Sequence, residues 1–352
     1  MNNKTLIAGI QLVLGLGLAA HAHAQQAPRL AAPAPSYLVH NNGLFAYGQQ
    51  AINSLHQRLG ETGTGHRPGE GNGEFFVRGF GGQSEYYNDP TSAPRGYDYE
   101  QDLYGLQVGG NWLKLQGDNG SLRLGAALSA GKTQIEPELH SGGRRVPLAA
   151  GHETVDASTF VATATWQHNG GWYVDGLLGA SEYRSDVHVA AGGKAARLES
   201  NDVFASVETG YQWVLEEGLI VEPQAQVSWQ KLDTDRVADR DGVVVDLGTP
   251  EQFVWRVGAR ALFAPSVGSD GSTLTQYVKF NYYDSEGPEQ RATLSGERIA
   301  TGAYGNTGEF GYGLTATLRN RLSFYGDFAL QQEIGDASRE GWAASAGAKW
   351  VF

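Results

Sequence analysis

From Glu74 to the last residue, apolar and polar side chains alternate with a period of two. In 221–230, Val221, Pro223, Ala225, Val227 and Trp229 take one parity, and Glu222, Gln224, Gln226, Ser228 and Gln230 take the other. The same holds for Val203, Ala205, Val207, Tyr211 and Trp213 against Ser206, Glu208 and Gln212, and for Trp342 to Phe352 against Ser345 and Lys349. A period of two predicts strands with one apolar and one polar face. Twelve such runs fall near 74–86, 97–113, 120–134, 154–167, 171–187, 198–214, 218–233, 251–264, 273–285, 304–318, 321–333 and 340–352. Their connections are short at 114–119, 168–170, 215–217, 265–272 and 319–320, and long at 135–153, 234–250 and 286–303.

Upstream the period changes. Leu44, Ala51, Ile52, Leu55 and Leu59 recur at helical spacing, with Asn41 and Asn42 as N-caps and Gly60 past the end, so a helix is expected over 44–60. Residues 61–73, rich in Gly and Thr, read as a connector. Residues 25–43, opening with the Ala/Pro-rich Ala27 to Pro35, read as a short extended linker. Lys4, the apolar run Leu6 to Ala20 and the small-x-small Ala22-His23-Ala24 read as an export signal over 1–24; the run is too short for a spanning helix.

An alternating all-β chain folds as a sandwich or as a barrel. The length asymmetry favours a barrel in the outer membrane of a Gram-negative cell, where short periplasmic turns oppose long outer loops. With both ends of the sheet periplasmic, Trp112, Trp166, Trp172, Trp213 and Trp350 gather at the periplasmic rim, and Trp229, Trp255, Tyr282 and Trp342 approach the outer rim. Two aromatic girdles fit a membrane. The chain has no Cys, so closing the sheet on itself is expected to supply the constraint that disulfides supply in other exported folds. A net charge of −12 argues against a nucleic-acid partner. A closed barrel needs no partner for its edges, so a monomer is expected, in contact with lipid and lipopolysaccharide.

Candidate chemistry is sparse. No Gly-x-Ser-x-Gly elbow, His-Glu-x-x-His or phosphate-binding Lys motif is found in 25–352, and the Gly runs 69–73 and 79–82 lead into no helix, so neither an enzyme nor a cofactor is expected. His140, His152 and His188 lie near outer loops without the spacing of a site, and Arg144-Arg145 is an exposed pair within reach of lipid phosphates. Asp233, Asp235, Asp239 and Asp241 before Gly242 contain a fragment of a calcium loop but lack its terminal Glu, and read as a solvated acidic loop.

Several stretches resemble the translocator domain of pertactin-type autotransporters. They are Ile52 to Gly60, Gly171 to Asp175, Ala205 to Tyr211, Glu222 to Gln226, Arg256 to Arg260 and the terminal Ala346 to Phe352, in family order over residues 44–352. The resemblance implies an all-β fold: a 12-stranded antiparallel transmembrane β-barrel with an N-terminal α-helix threaded in its lumen. It implies no chemistry, and only 25–42 separate the expected signal from the helix, so no sizeable passenger is expected. Trp350 and Phe352 match the terminal signal read by the outer-membrane assembly machinery. Asn53 aligns with the cyclising Asn of self-cleaving relatives, but Ser54 replaces the second Asn, and a polar lumen contact is the simpler expectation. Arg78, Asp175, Glu208, Glu222, Arg256 and Arg260 share the inward parity, and are expected to pair with one another and with Arg58 to hold the helix. Two alternatives belong to other classes: a surface protein whose outer loops bind a host or neighbouring cell, and a narrow diffusion pore lined by those charges.

Overall fold

The computed structural model describes residues 33–52, 55–59, 73–88, 96–141, 144–147, 151–190, 192–215, 218–286, 290–302, 305–318, 321–335 and 337–352. The expected signal 1–24, residues 25–32 of the linker, Asn53 and nearly all of the connector 61–73 lie outside these residues.

Twelve strands form the wall: β1 Glu74–Tyr87, β2 Asp98–Gly117, β3 Gly120–Ser141, β4 Glu153–His168, β5 Trp172–His188, β6 Lys194–Tyr211, β7 Ile220–Thr234, β8 Glu251–Leu262, β9 Thr273–Glu286, β10 Thr307–Leu318, β11 Leu322–Glu333 and β12 Ser338–Val351. Each pairs antiparallel with its sequence neighbours, and β1 closes on β12 from Glu74↔Val351 to Tyr87↔Ser338. Closure leaves no free edge. It is completed below the last strand, where the amide of Phe352 donates to the carbonyl of Gly73 and that of Gly73 to the carbonyl of Phe352, at 3.1 and 3.3 Å.

The two parities separate as a membrane requires. Leu106, Val108, Leu128, Phe160, Leu178, Val203, Val207, Val257, Phe280, Phe310, Phe328 and Leu330 are exposed on the outside, while Gln107, Ser206, Glu208, Glu222, Gln224, Arg256 and Lys349 are buried within. Trp112, Trp166, Trp172, Trp213 and Trp350 stand out at one rim, and Trp255, Tyr282 and Trp342 at the other. Trp112 is the extra residue of a bulge, since the β2–β3 register shifts between Asn111 and Leu113.

The helix departs from its sequence-based bounds. α1 runs from Ala34 to Ile52 and a short α2 from Leu55 to Leu59, so the helical part begins ten residues before Leu44 and takes in Asn41 and Asn42 instead of being capped by them. Pro35 sits in the first turn, where its missing amide costs no hydrogen bond. Every residue from Ala34 to Gly48 is buried. A helix surrounded on all sides has no solvent face, so it shows no apolar stripe for the period of 3.6 to reveal. Gly43 and Gly48, each costing about 1 kcal/mol against Ala in a helix, are explained by the wall: a Cβ at 43 would collide with Ile135, and one at 48 with the side-chain amide of Gln230.

The outer loops are also more ordered than expected. β3 continues to Ser141, and Arg144–Pro147 pairs back on it. Within the long loops, Val237–Ala238, Val244–Asp246, Arg291–Leu294 and Glu297–Ala300 form a separate four-stranded sheet. Val245, Leu247, Ala292, Leu294 and Ile299 are buried, and α1 contacts the strand Arg291–Leu294, so this sheet caps the mouth above the helix.

Candidate functional site in the barrel lumen

The lumen holds α1 and α2, which are gripped at four levels. At the outer end, the Tyr37 hydroxyl donates to Asp239 at 3.1 Å, the Asn41 amide to the Leu247 carbonyl at 3.1 Å, and the Asn42 amide reaches the carbonyls of Thr301 and Gly302 at 3.5 Å. Asp239 is buried, and its other oxygen accepts the amides of Asp241 and Val243, so it organises a turn and a helix contact; the expectation of a wholly solvated acidic loop is corrected there. No group of three acidic or His side chains placed to hold a metal occurs among the described residues.

One turn below, His40 bridges two strands. Its Nδ1 lies 2.6 Å from Glu153 and its Nε2 3.0 Å from the Ser200 hydroxyl, which in turn meets Thr234 at 2.8 Å. With Nδ1–H donating to the carboxylate, Nε2 accepts from Ser200, so both ring nitrogens are satisfied. The order of hydroxyl, imidazole and carboxylate is that of a nucleophilic triad, yet His40 and Glu153 are 0% exposed and Ser200 2%. With no open face on the hydroxyl, the arrangement works as a three-element clamp.

In the middle, Gln101 donates to the carbonyl of Gly43 and to Thr133, both at 2.9 Å, and Ser228 donates to Gln49 at 3.2 Å. Tyr47 packs edge-on against Tyr183 and tilted against Phe80, with centroids 6.0 and 6.2 Å apart. At the lower level Arg58 Nη2 reaches both oxygens of Asp175, at 2.9 and 2.8 Å, Gln57 donates to Asp327 at 3.1 Å, and Tyr325 donates to the carbonyl of Arg58 at 2.8 Å.

The wall carries its own charge network. Arg256 lies 3.1 Å from Glu208 and donates to Gln226, Gln224 and Asn281; Arg260 reaches both oxygens of Glu222, at 3.2 and 3.1 Å, and stacks over Tyr277. Thus Asp175 meets the helix, whereas Glu208, Glu222, Arg256 and Arg260 pair across strands. Arg78 is 0% exposed and meets no carboxylate within ion-pair distance among the described residues: it donates to the Gln57 carbonyl at 3.4 Å and lies 5.2 Å from the Phe80 ring centroid. Trp350 and Phe352 are exposed on the outside, with ring centroids 5.4 Å apart.

Sequence reasoning missed several members. Lys279 bridges Asp327 at 2.7 Å and Glu309 at 3.3 Å, and Glu74 sits near Arg123 and Lys349 at 3.8 and 3.9 Å. Parity held the signal for Lys279 and Glu309, which alternate with the outward Phe280 and Phe310. Nothing local marked Tyr37, His40, Glu153 or Ser200, because their contacts between helix and wall join positions 113 to 202 apart.

A closed wall of twelve antiparallel strands is also the fold of similar proteins. A family profile described as autotransporter beta-domain matches residues 75–329, more than half of the chain. The probable autotransporter YfaL of Escherichia coli is 26% identical over 196 residues, 53% of this chain and 15% of that protein, so the chain spans only a small part of that relative. The uncharacterized Escherichia coli protein YdeU is 25% identical over 332 residues, 88% of this chain and 67% of that one. Among solved structures, the transport unit of the autotransporter AIDA-I from Escherichia coli superposes with a TM-score of 0.64 at 19% identity, covering 88% of this chain and 98% of that one. The translocator domain of NalP from Neisseria meningitidis gives 0.64 at 13% identity, covering 90% and 99%. The beta domain of the Bordetella autotransporter Brka gives 0.62 at 18% identity, covering 80% and 100%. Strand count, closure, aromatic rims and the profile match agree: this chain belongs to the autotransporter beta-domain family and is an integral barrel of the Gram-negative outer membrane.

Proposed function

We propose that this translocator barrel keeps its helix as a resident plug, carries out no chemistry of its own, and releases the segment ahead of the helix at the outer mouth. The observation that carries the reading is the direction of α1. Its first turns hydrogen-bond the outer loops through Tyr37, Asn41 and Asn42, while β1 starts from the opposite end at Glu74. Whatever precedes Pro33 then leaves the lumen on the outer side.

In this reading Arg58 and Asp175 anchor the lower end of the plug, and Glu208, Glu222, Arg256 and Arg260 keep the lumen wall rigid around it. Arg78 acts through the Gln57 carbonyl. Trp350 and Phe352 address the chain to the assembly machinery, and the apolar belt meets lipid and lipopolysaccharide, with the barrel working as a monomer.

The test is an epitope tag inserted after Gln26, probed with protease on intact cells. The tag is expected to be cleaved without permeabilising the outer membrane. A tag that is cleaved only after permeabilisation refutes the outward direction and leaves the loops or the pore as the working parts.

A further inference from the structure

The lipid side of the wall is not even. Pairing between β6 and β7 runs to Gly210↔Gln224 and resumes only at Trp213↔Val221, where Trp213–Val214 forms a short extra strand. The gap falls where Tyr211 would face Pro223, which has no amide to donate to it. At this break the outer surface carries an open groove of about 500 Å³, within the roughly 300–1,000 Å³ of small-molecule pockets.

The groove is walled by aromatic rings. Trp172 stands directly opposite Tyr211 with ring centroids 5.3 Å apart, and Tyr211 meets Trp213 edge-on at 5.9 Å. Both indoles are exposed. The outward side chains between these rings and β7 are small: Thr209, Pro223 and Ala225. The Thr209 hydroxyl already donates to the Tyr173 carbonyl at 2.9 Å, so a hydrocarbon guest leaves no polar group of this floor unpaired.

Place and charge narrow the occupant. The groove is continuous with the apolar belt and opens at the rim that also carries Trp112, Trp166 and Trp350, and rim indoles sit at the headgroup level of a bilayer. A guest that is apolar along the belt and polar at the rim is a phospholipid, whose ester and phosphate oxygens accept from indole N–H groups. Residues 165–183 and 206–230, which supply the lining, contain no Lys or Arg, and the connection 215–219 adds Glu216 and Glu217. Such a rim opposes an anionic headgroup and favours one that carries an ammonium.

We propose that this groove retains one glycerophospholipid with an ethanolamine headgroup, an acyl chain lying against Pro223 and Ala225 and its ester oxygens accepting from Trp172 and Trp213. The proposal rests on the belt lying in lipid and not on the direction of the plug, so the tag test can fail without touching it.

The test is native mass spectrometry of the full folded chain in detergent, equilibrated with phosphatidylethanolamine or with phosphatidylglycerol of matched acyl chains. One phosphatidylethanolamine is expected to stay bound under conditions that strip phosphatidylglycerol. Ala225→Phe fills the groove from its exposed floor, and Trp213→Ala removes a wall; in variants shown to be folded by heat-modifiable gel mobility, each is expected to weaken retention by about tenfold or more. Ala162→Phe, an exposed substitution elsewhere in the belt, is expected to leave retention unchanged. The proposal is overturned if the wild-type chain retains no phospholipid, or if phosphatidylglycerol is held equally well. It is also overturned if both groove variants retain lipid as the wild type does, if Ala162→Phe weakens retention as much as they do, or if a dimer that Ala225→Phe abolishes appears in place of the lipid adduct.

Discussion

Asp175→Asn probes the seat of the plug. Arg58 and Asp175 are 2% and 4% exposed, and a single guanidinium nitrogen spans both carboxylate oxygens at 2.9 and 2.8 Å. The substitution keeps the shape and the contact with Thr165 but removes the counter-charge, leaving a buried guanidinium whose Nη1 already lacks a hydrogen-bond partner. Breaking a buried pair from one side costs about 3–5 kcal/mol. The twelve-stranded wall is hydrogen-bonded independently of this contact, so the cost falls on retention of α2. At 1.4 kcal/mol per power of ten, the unseated state gains roughly a hundredfold to a few thousandfold. Two assays read this: trypsin cleavage after Arg58 in the detergent-folded protein, and occupancy of a high-conductance state in planar bilayers. Both should rise in Asp175→Asn, while Arg58→Met combined with Asp175→Leu, which removes both charges, should stay near the wild type. Unchanged cleavage and conductance in Asp175→Asn, or a double variant as labile as the single one, would refute the assignment of Arg58 as an anchor.

Other positions separate packing, surface charge and seam. A Cβ at Gly131 would collide with the Tyr47 hydroxyl and with the carbonyl of Tyr104, so Gly131→Val should lower the thermal midpoint by the equivalent of about 1–3 kcal/mol and loosen the helix, as read by hydrogen exchange of α1. Lys132 and Asp156 form a 2.8 Å pair outside the barrel with side chains 60% and 68% exposed, so Asp156→Asn should leave the midpoint of a urea titration essentially unchanged. Deleting Phe352 removes both hydrogen bonds to Gly73 along with the exposed ring, and should reduce the folded fraction recovered in the outer membrane, measured by heat-modifiable mobility after fractionation. His40→Ala strips Glu153 and Ser200 of their shared partner and should raise proteolysis at the outer end of α1, whereas His40→Gln, which keeps one bond, should do so less.

The period of two, the twelve runs, the alternation of short and long connections and the aromatic rims were written in neighbouring residues, because a strand in a membrane wall is bound by local rules: each side chain faces lipid or lumen according to its parity. The inward charges Asp175, Glu208, Glu222, Arg256 and Arg260 were legible for the same reason. Their partners were not, since parity says which face a residue takes and only the register says who stands opposite; it gave Arg256 to Glu208 and left Arg78 on a carbonyl and a ring. The start of the helix at Ala34 was hidden too, because periodicity reports a contrast between two solvents and α1 has only one surrounding. Glycine at 43 and 48 finds its reason only in the closed wall, which sets Ile135 and Gln230 where a Cβ would stand. The clamp of His40 and the cap over the mouth exist only because closing the sheet brings residues more than a hundred positions apart into one narrow lumen.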